Sequence, residues 1–308
     1  MVTVVLIDAA LIGLVLVVVG RARTAWRHPR ARIAWLAAFL GVIALLTQGT
    51  LVPLAAMDAV LGGTNVLKLV QNVLTMVALW LGIQAGTAPA TARIRTLRWG
   101  FPLALAGVFV VVFFVAMPSR GPSSFLFLET AAATSTGAWV YGVLHMAGIG
   151  LVGVLLYRSA RGSLPVTRRL FRIGAVGIVL GCFSEIVDLT LTRFLVPIEV
   201  VSALFDPLFY LGVVSFVMGI FAASRTTVMI RRRGESLLGR LEALARERAL
   251  TLPDALGGAP DVDARLHTLR VAVEDEAIAT STPLSGEQRA LLDEVDAHLT
   301  RRTTGARA

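Results

Sequence analysis

Seven apolar stretches, each close to twenty residues long, set the limits on what this chain can fold into. They cover about 3–20, 33–52, 65–86, 100–117, 137–157, 173–192 and 203–223. Crossing roughly 30 Å of hydrocarbon takes about 20 apolar residues in a helix. In lipid a helix also satisfies its own backbone hydrogen bonds, which no other single segment does. The expectation is an all-α polytopic membrane protein. Residues 1–223 form a seven-helix transmembrane domain and 224–308 a short cytoplasmic helical tail. At 308 residues the chain is 56% apolar and only 16% charged, well above the roughly 45–50% apolar of a soluble domain.

The net charge of +9 raises the question of nucleic acid, and its distribution answers it. Residues 1–224 hold sixteen basic side chains against seven acids, whereas 225–308 balance thirteen against thirteen. The surplus sits between the apolar stretches, where membrane topology demands it, so no nucleic-acid partner is expected. Alternate connections carry it. Arg21, Arg23, Arg27, Arg30 and Arg32 follow the first stretch, Arg93, Arg95 and Arg98 the third, and Arg158, Arg161, Arg168, Arg169 and Arg172 the fifth. Arg225 and Arg231 to Arg233 follow the seventh, while the opposite connections hold only Lys68, Arg120 and Arg193. The positive-inside rule then places the N-terminus outside and the C-terminus in the cytoplasm, as a multi-pass protein of the cytoplasmic membrane. No basic residue precedes the first stretch, which reads as a retained span rather than a secretory signal. Arg231 to Arg233 read as a stop-transfer anchor meeting anionic lipid.

The connections have their own features. Pro53, Asp58 and Leu61-Gly62-Gly63 mark an outer turn, with Asp58 as its cap. The segment from Pro118 to about 136 is polar and small, and has room for a short surface or re-entrant helix from Phe125 to Ala133. In the tail, Leu237, Leu241 and Leu244 form one helical stripe. Val262, Leu266, Leu269 and Val273 form a second, and Leu291, Leu292, Val295 and Leu299 a third. Pro253 and the Gly257-Gly258-Ala259-Pro260 run separate the first two, and Ser285 with Gln288 fits a capping box. A module this small has little core of its own, so its stripes pack on one another, on the bilayer or on a cytoplasmic protein partner. Arg301 to Ala308 read as a disordered end.

Several of these residues carry a resemblance. His28-Pro29 in a basic loop, Ala34-Trp35 opening the second stretch, and Pro53, Asp58, Gly62 and Asn65 at the outer turn belong to it. In the tail, Asp261, Asp263, Arg265, Leu266 and Asp275 belong to it as well. Together they resemble an actinobacterial family of seven-span membrane proteins labelled as candidate transporters, with a cytoplasmic helical C-terminal domain. The tail departs from that pattern, with Thr268 and Leu269 in place of a basic pair. The resemblance implies topology and a transport role, and assigns no residue.

Polar residues inside apolar stretches are the candidates for function. Gly174, Gly177, Gly181, Glu185 and Asp188 fall within about 80° of one helix face. The glycines permit close helix packing, and the acids must avoid lipid, so this face should meet other helices. Asn65, Lys68, Asn72 and Thr75 form a similar stripe on the third stretch, with Gln71 at its edge, and Lys68 is the sole lysine. Tyr141, His145 and Gly148 align on the fifth, and Asp206 and Tyr210 on the seventh. At about 1.5 Å per residue all of these reach the outer half of the bundle. Lys68 near Glu185 or Asp188 would offset the cost of burying either charge.

The candidate solute site is therefore Lys68, Gln71, Asn72, His145, Glu185, Asp188, Asp206 and Tyr210. Three readings stand: a pathway for a small polar solute, an outer pocket coupled to the tail as a sensor, or a polar cluster that fixes helix register. No enzyme, cofactor or metal is expected. The lone lysine has no phosphate-binding loop, the four histidines form no metal pair, and there is no nucleophile elbow. Cys182, the only cysteine, reads as a small packing residue, and His145 as an interior histidine.

Overall fold

A computed structural model describes residues 2–27, 29–49, 51–86, 92–117, 120, 124, 126–160, 165–250 and 262–307. Their side chains are described except at 2, 27, 29, 30, 86, 92–99, 227 and 301–307. Several sequence expectations lie outside the described residues: His28, Pro118, Phe125, Arg161, Asp261, Pro253 and the 257–260 run. The side chains of Arg27, Arg30, Arg93, Arg95 and Arg98 also lie outside them. Among the described residues every regular element is a helix.

In chain order these are α1 (Val2–Arg27), α2 (Pro29–Leu46), α3 (Leu54–Ala59), α4 (Val66–Gly86), α5 (Ala92–Ala116) and α6 (Phe127–Thr134). Then come α7 (Thr136–Ser159), α8 (Pro165–Phe194), α9 (Glu199–Ser202), α10 (Phe205–Glu247), α11 (Val262–Ala279) and α12 (Gly286–Arg307). Five helical segments are long and apolar enough to cross a membrane: Thr3–Trp26, Val66–Ala85, Thr136–Ser159, Pro165–Phe194 and Glu199–Glu247. Ala31–Leu46 and Gly100–Ala116 are apolar but shorter. The chain divides into two compact units, Met1–Phe221 and Ala222–Ala308.

Helix ends differ from the hydropathy limits for local reasons. The second stretch was expected to run to Val52, but α2 stops at Leu46. Gly49 turns the chain there at φ 89°, a conformation that favours glycine. After α3, Gly62 and Gly63 make a left-handed turn. Asp58 then caps α4: its carboxylate accepts from the backbone N–H groups of Asn65 and Leu67, both at 2.6 Å. Ser135 caps α7 by accepting from the Ala138 N–H.

In the first unit the apolar core joins α1, α2, α4, α5, α7, α8 and the first part of α10. On α8 two faces separate cleanly. Gly174, Gly181, Glu185 and Asp188 are buried, with Gly177 beside them, whereas Ile173, Val176, Leu180 and Phe183 are exposed. Charge inside and bare hydrocarbon outside invert the usual rule for proteins in water, and suit a helix with lipid on one side.

The second unit closes a core of its own from Leu237, Leu241, Leu266, Leu269, Leu291 and Val295. Its first helix is not separate. The stripe expected at Leu237 to Leu244 is the last part of α10, because nothing between Phe221 and Glu247 breaks a helix: arginines end a span without ending the coil. The capping box forms as a reciprocal pair, the Ser285 N–H to Gln288 Oε1 at 3.1 Å and the Gln288 N–H to Ser285 Oγ at 3.2 Å. The helix α12 runs to Arg307, with no proline before it to stop it.

A polar cavity as the candidate functional site

The site is built at the end of the first unit where the short helices lie. Asn65 ties two connections together there. It sits in a left-handed conformation at φ 61°, its Nδ2 donates to the Arg120 carbonyl at 3.0 Å, and its Oδ1 accepts from the Ser124 N–H at 2.9 Å. Arg193, near the end of α8, donates to the Ala133 carbonyl and to Thr136 Oγ1, at 3.2 and 2.8 Å. Ser202 donates to Asp188 Oδ1. These bonds hold α6 and α9 at one end of the long helices, where Phe127, Leu128 and Glu129 of α6 join the lining of a cavity.

Beneath α6 lies a cavity of about 220 Å³. Lys68, Gln71 and Asn72 of α4 line it, with His145 of α7, Glu185 of α8, and Asp206 and Tyr210 of α10. The periodicity that put each residue on an inward face works here as geometry, since residues three and four apart on α4 turn together toward α7 and α10. Asp188 belongs to the expected set but not to the wall. It is buried one turn beyond Glu185, bonded to Ser202, and its charge acts on Glu185.

Two tyrosines fix the walls. Asn72 Nδ2 donates to the Tyr141 hydroxyl at 2.8 Å, joining α4 to α7. Gln48 Nε2, just past α2, donates to the Tyr210 hydroxyl at 2.9 Å, joining the end of α2 to α10. Phe127, Phe205, Phe209, Met146 and Ile149 complete the surface with apolar groups. Two polar atoms of residues that line the cavity are left over. Gln71 Oε1 and His145 Nδ1 are buried with no hydrogen-bond partner within the protein, and their residues are only 6% and 3% exposed. An unmet polar atom of this kind costs about 1–3 kcal/mol.

The charges around the cavity are unequal. Among the described residues, Glu129, Glu185 and Asp206 face it together with one cation, Lys68. The charges of Glu129 and Asp206 both act on Lys68. Glu129, on α6 outside the apolar stretches, has its pKa raised. Desolvation is the largest cause, followed by the negative charges of Asp188 and Asp206, with Lys68 opposing.

Sequence reasoning missed Glu129, Gln48 and Ser202. Glu129 offered one signal, as the only acid between Asp58 and Glu185. Gln48 and Ser202 offered none, because each acts through a partner more than ten residues away.

A second, smaller cavity of about 60 Å³ adjoins the first. The two share Gln48, Thr75, Phe209 and Tyr210, and the smaller is otherwise lined by apolar residues such as Leu14, Ala38, Leu79 and Val217.

The glycines of α8 do the packing. A Cβ at Gly174 would lie 2.8 Å from the Gly212 carbonyl oxygen of α10, one at Gly177 2.8 Å from that of Leu208, and one at Gly181 3.0 Å from Phe209. Cys182 is buried in the core. Among the described residues no group of three or more potential ligands is placed to hold a metal ion. No protein-family model, characterised protein or solved structure matches the chain.

Proposed function

We propose that the chain is a seven-span protein of the cytoplasmic membrane, N-terminus outside and C-terminus inside, whose outer cavity holds a small polar solute on a transport pathway. The carrying observation is the cavity itself. It gathers seven of the eight expected polar residues from four helices, and two of them, Gln71 and His145, have buried atoms without protein partners. A cluster that served register alone would satisfy its members, as Asn72–Tyr141 and Gln48–Tyr210 do. Arginines on alternate connections support the orientation, and the two shorter apolar helices supply the sixth and seventh spans. The resemblance to the actinobacterial family leads to the same role. The adjoining apolar cavity extends the path inward from Tyr210.

One observation favours a sensor as the second reading. The helix that bears Asp206 and Tyr210, α10, also bears Leu237 and Leu241 of the tail core. Flux separates the two. Protein in proteoliposomes should accumulate a solute found by thermal-shift screening of the detergent-purified chain, and Glu185→Gln should slow that uptake. Binding without flux, together with altered hydrogen exchange in α11 and α12, would favour the sensor. If no solute in a broad panel raises the melting temperature while Lys68→Ala and Glu185→Ala both change it, the cluster is structural.

A further inference from the structure

We infer that the cavity is a site for a primary ammonium ion carried on a short apolar body. The inference rests on the solute-site reading above and supplies the ligand class that reading leaves open.

The charge on the wall argues first. Glu129, Glu185 and Asp206 line the space against the single cation Lys68, and Asp188 adds a fourth acid immediately behind Glu185. Acids in excess within a poorly solvated space repel one another, and a bound cation relieves that repulsion. An anionic solute would meet the same acids with only Lys68 to receive it.

The unmet atoms argue independently of charge. Gln71 Oε1 is an acceptor that lacks a donor, and His145 Nδ1 accepts when the ring proton is on Nε2. The amide groups of Asn72 and Gln48 already spend an N–H on the two tyrosines. The three acids, Gln71 Oε1 and His145 Nδ1 add lone pairs to the wall. A primary ammonium brings three N–H donors and no acceptor, which complements such a wall. A quaternary ammonium carries the charge without the donors, and would leave Gln71 unmet.

Size and surface define the rest of the ligand. Benzene, with six heavy atoms, occupies an engineered cavity of about 150 Å³. A space of about 220 Å³ takes roughly nine heavy atoms on that scale. Phe127, Phe205, Phe209, Met146 and Ile149 give the body an apolar and largely aromatic seat, where ring faces also attract a cation.

Three probes with one ring and three charges test the class on the full-length detergent-purified chain at neutral pH: phenethylammonium, 2-phenylethanol and 3-phenylpropionate. The expected result is a rise in melting temperature with phenethylammonium, and affinity at least about tenfold above the other two. Gln71→Met removes the unmet acceptor at nearly constant volume. It should leave the ligand-free melting temperature unchanged or higher, yet weaken phenethylammonium binding about tenfold or more. Asp206→Asn should weaken it as well, and serves as the second variant if Gln71→Met does not fold. Equal or tighter binding of the alcohol or the carboxylate overturns the ammonium class and leaves the solute site standing. No response to any of the three overturns the inference, and the broader solute panel then decides the site itself. Full ammonium binding by both variants also overturns the inference, because the ligand would then sit elsewhere.

Discussion

Replacing Gly212 by alanine adds one methyl group where α8 and α10 touch through their backbones. That Cβ would lie 2.7 Å from the Ile178 nitrogen, 2.8 Å from the Gly174 carbonyl oxygen and 3.1 Å from the Gly177 carbonyl carbon. All three atoms belong to the main chain of a helix, so none can rotate away. Relief to ordinary contact needs the helices to part by about 0.7 Å, and a gap of that size forfeits a quarter to a half of each dispersion contact along the seam. Overpacking of this kind costs about 1–3 kcal/mol. Alanine returns up to about 1 kcal/mol through its better helix propensity. The net expectation is a loss of about 1–2 kcal/mol, seen as a lower melting temperature in detergent. The same chemical change at Gly107 of α5, which has nothing within 4 Å of its would-be Cβ, should raise the melting temperature by the propensity alone. Opposite signs from identical substitutions are the signature of the seam. If Gly212→Ala melts at or above the parent temperature, the backbone contact does not exist as described and the packing argument fails.

Other perturbations follow from the same geometry. Asp58→Ala removes a fully buried carboxylate with two 2.6 Å hydrogen bonds, and should cost about 2–3 kcal/mol, with faster hydrogen exchange at Asn65 and Leu67. Arg248→Ala breaks a pair with Glu276 at 3.0 Å whose side chains are only 10% and 19% exposed, and also loses a bond to Gln288. About 2–4 kcal/mol should disappear from the tail unit, measured as exchange in α11 and α12, and an unchanged pattern would refute that role. Glu294 accepts from Arg233 and Arg240, and those bonds, that of Arg233 first, hold its pKa below the ordinary value. A depressed carboxylate contributes its stability above the unfolded pKa of about 4.3 and loses it as the pH falls through the lower folded value. The tail should therefore loosen under acid, and Glu294→Gln should flatten that dependence. A slope identical in the variant would show that other groups carry it.

The helical architecture was legible in the sequence, because long apolar stretches are a strong signal for helices of membrane-crossing length. The buried faces of α4 and α8 agree with the residue spacing, and Lys68, Asn72, Glu185 and Asp206, all expected in one half of the bundle, line one cavity. The spacing could not say which acid stands near Lys68, because that depends on how α6 folds over the cavity, and the bonds of Asn65 to Arg120 and Ser124 hold the connection leading into α6. Nor could hydropathy separate the end of a span from the end of a helix. At Leu46 the coil stops with apolar residues still to come, whereas at Phe221 it continues through a row of arginines. Backbone chemistry decides both cases, through Gly49 in one and the lack of any breaker in the other.

The seam between α8 and α10 also limits how the molecule can move. Where main chain rests on main chain there is no layer of side chains to repack, so this pair behaves as a single rigid lever. Any opening must hinge at joints made of side chains. One such joint is where Gln48 reaches Tyr210, at the boundary between the polar space and the apolar one. One neutral hydrogen bond holds that latch, worth on the order of 1 kcal/mol. Thermal motion readily undoes a latch of that strength, so it sets which way the lever rests rather than how fast it swings.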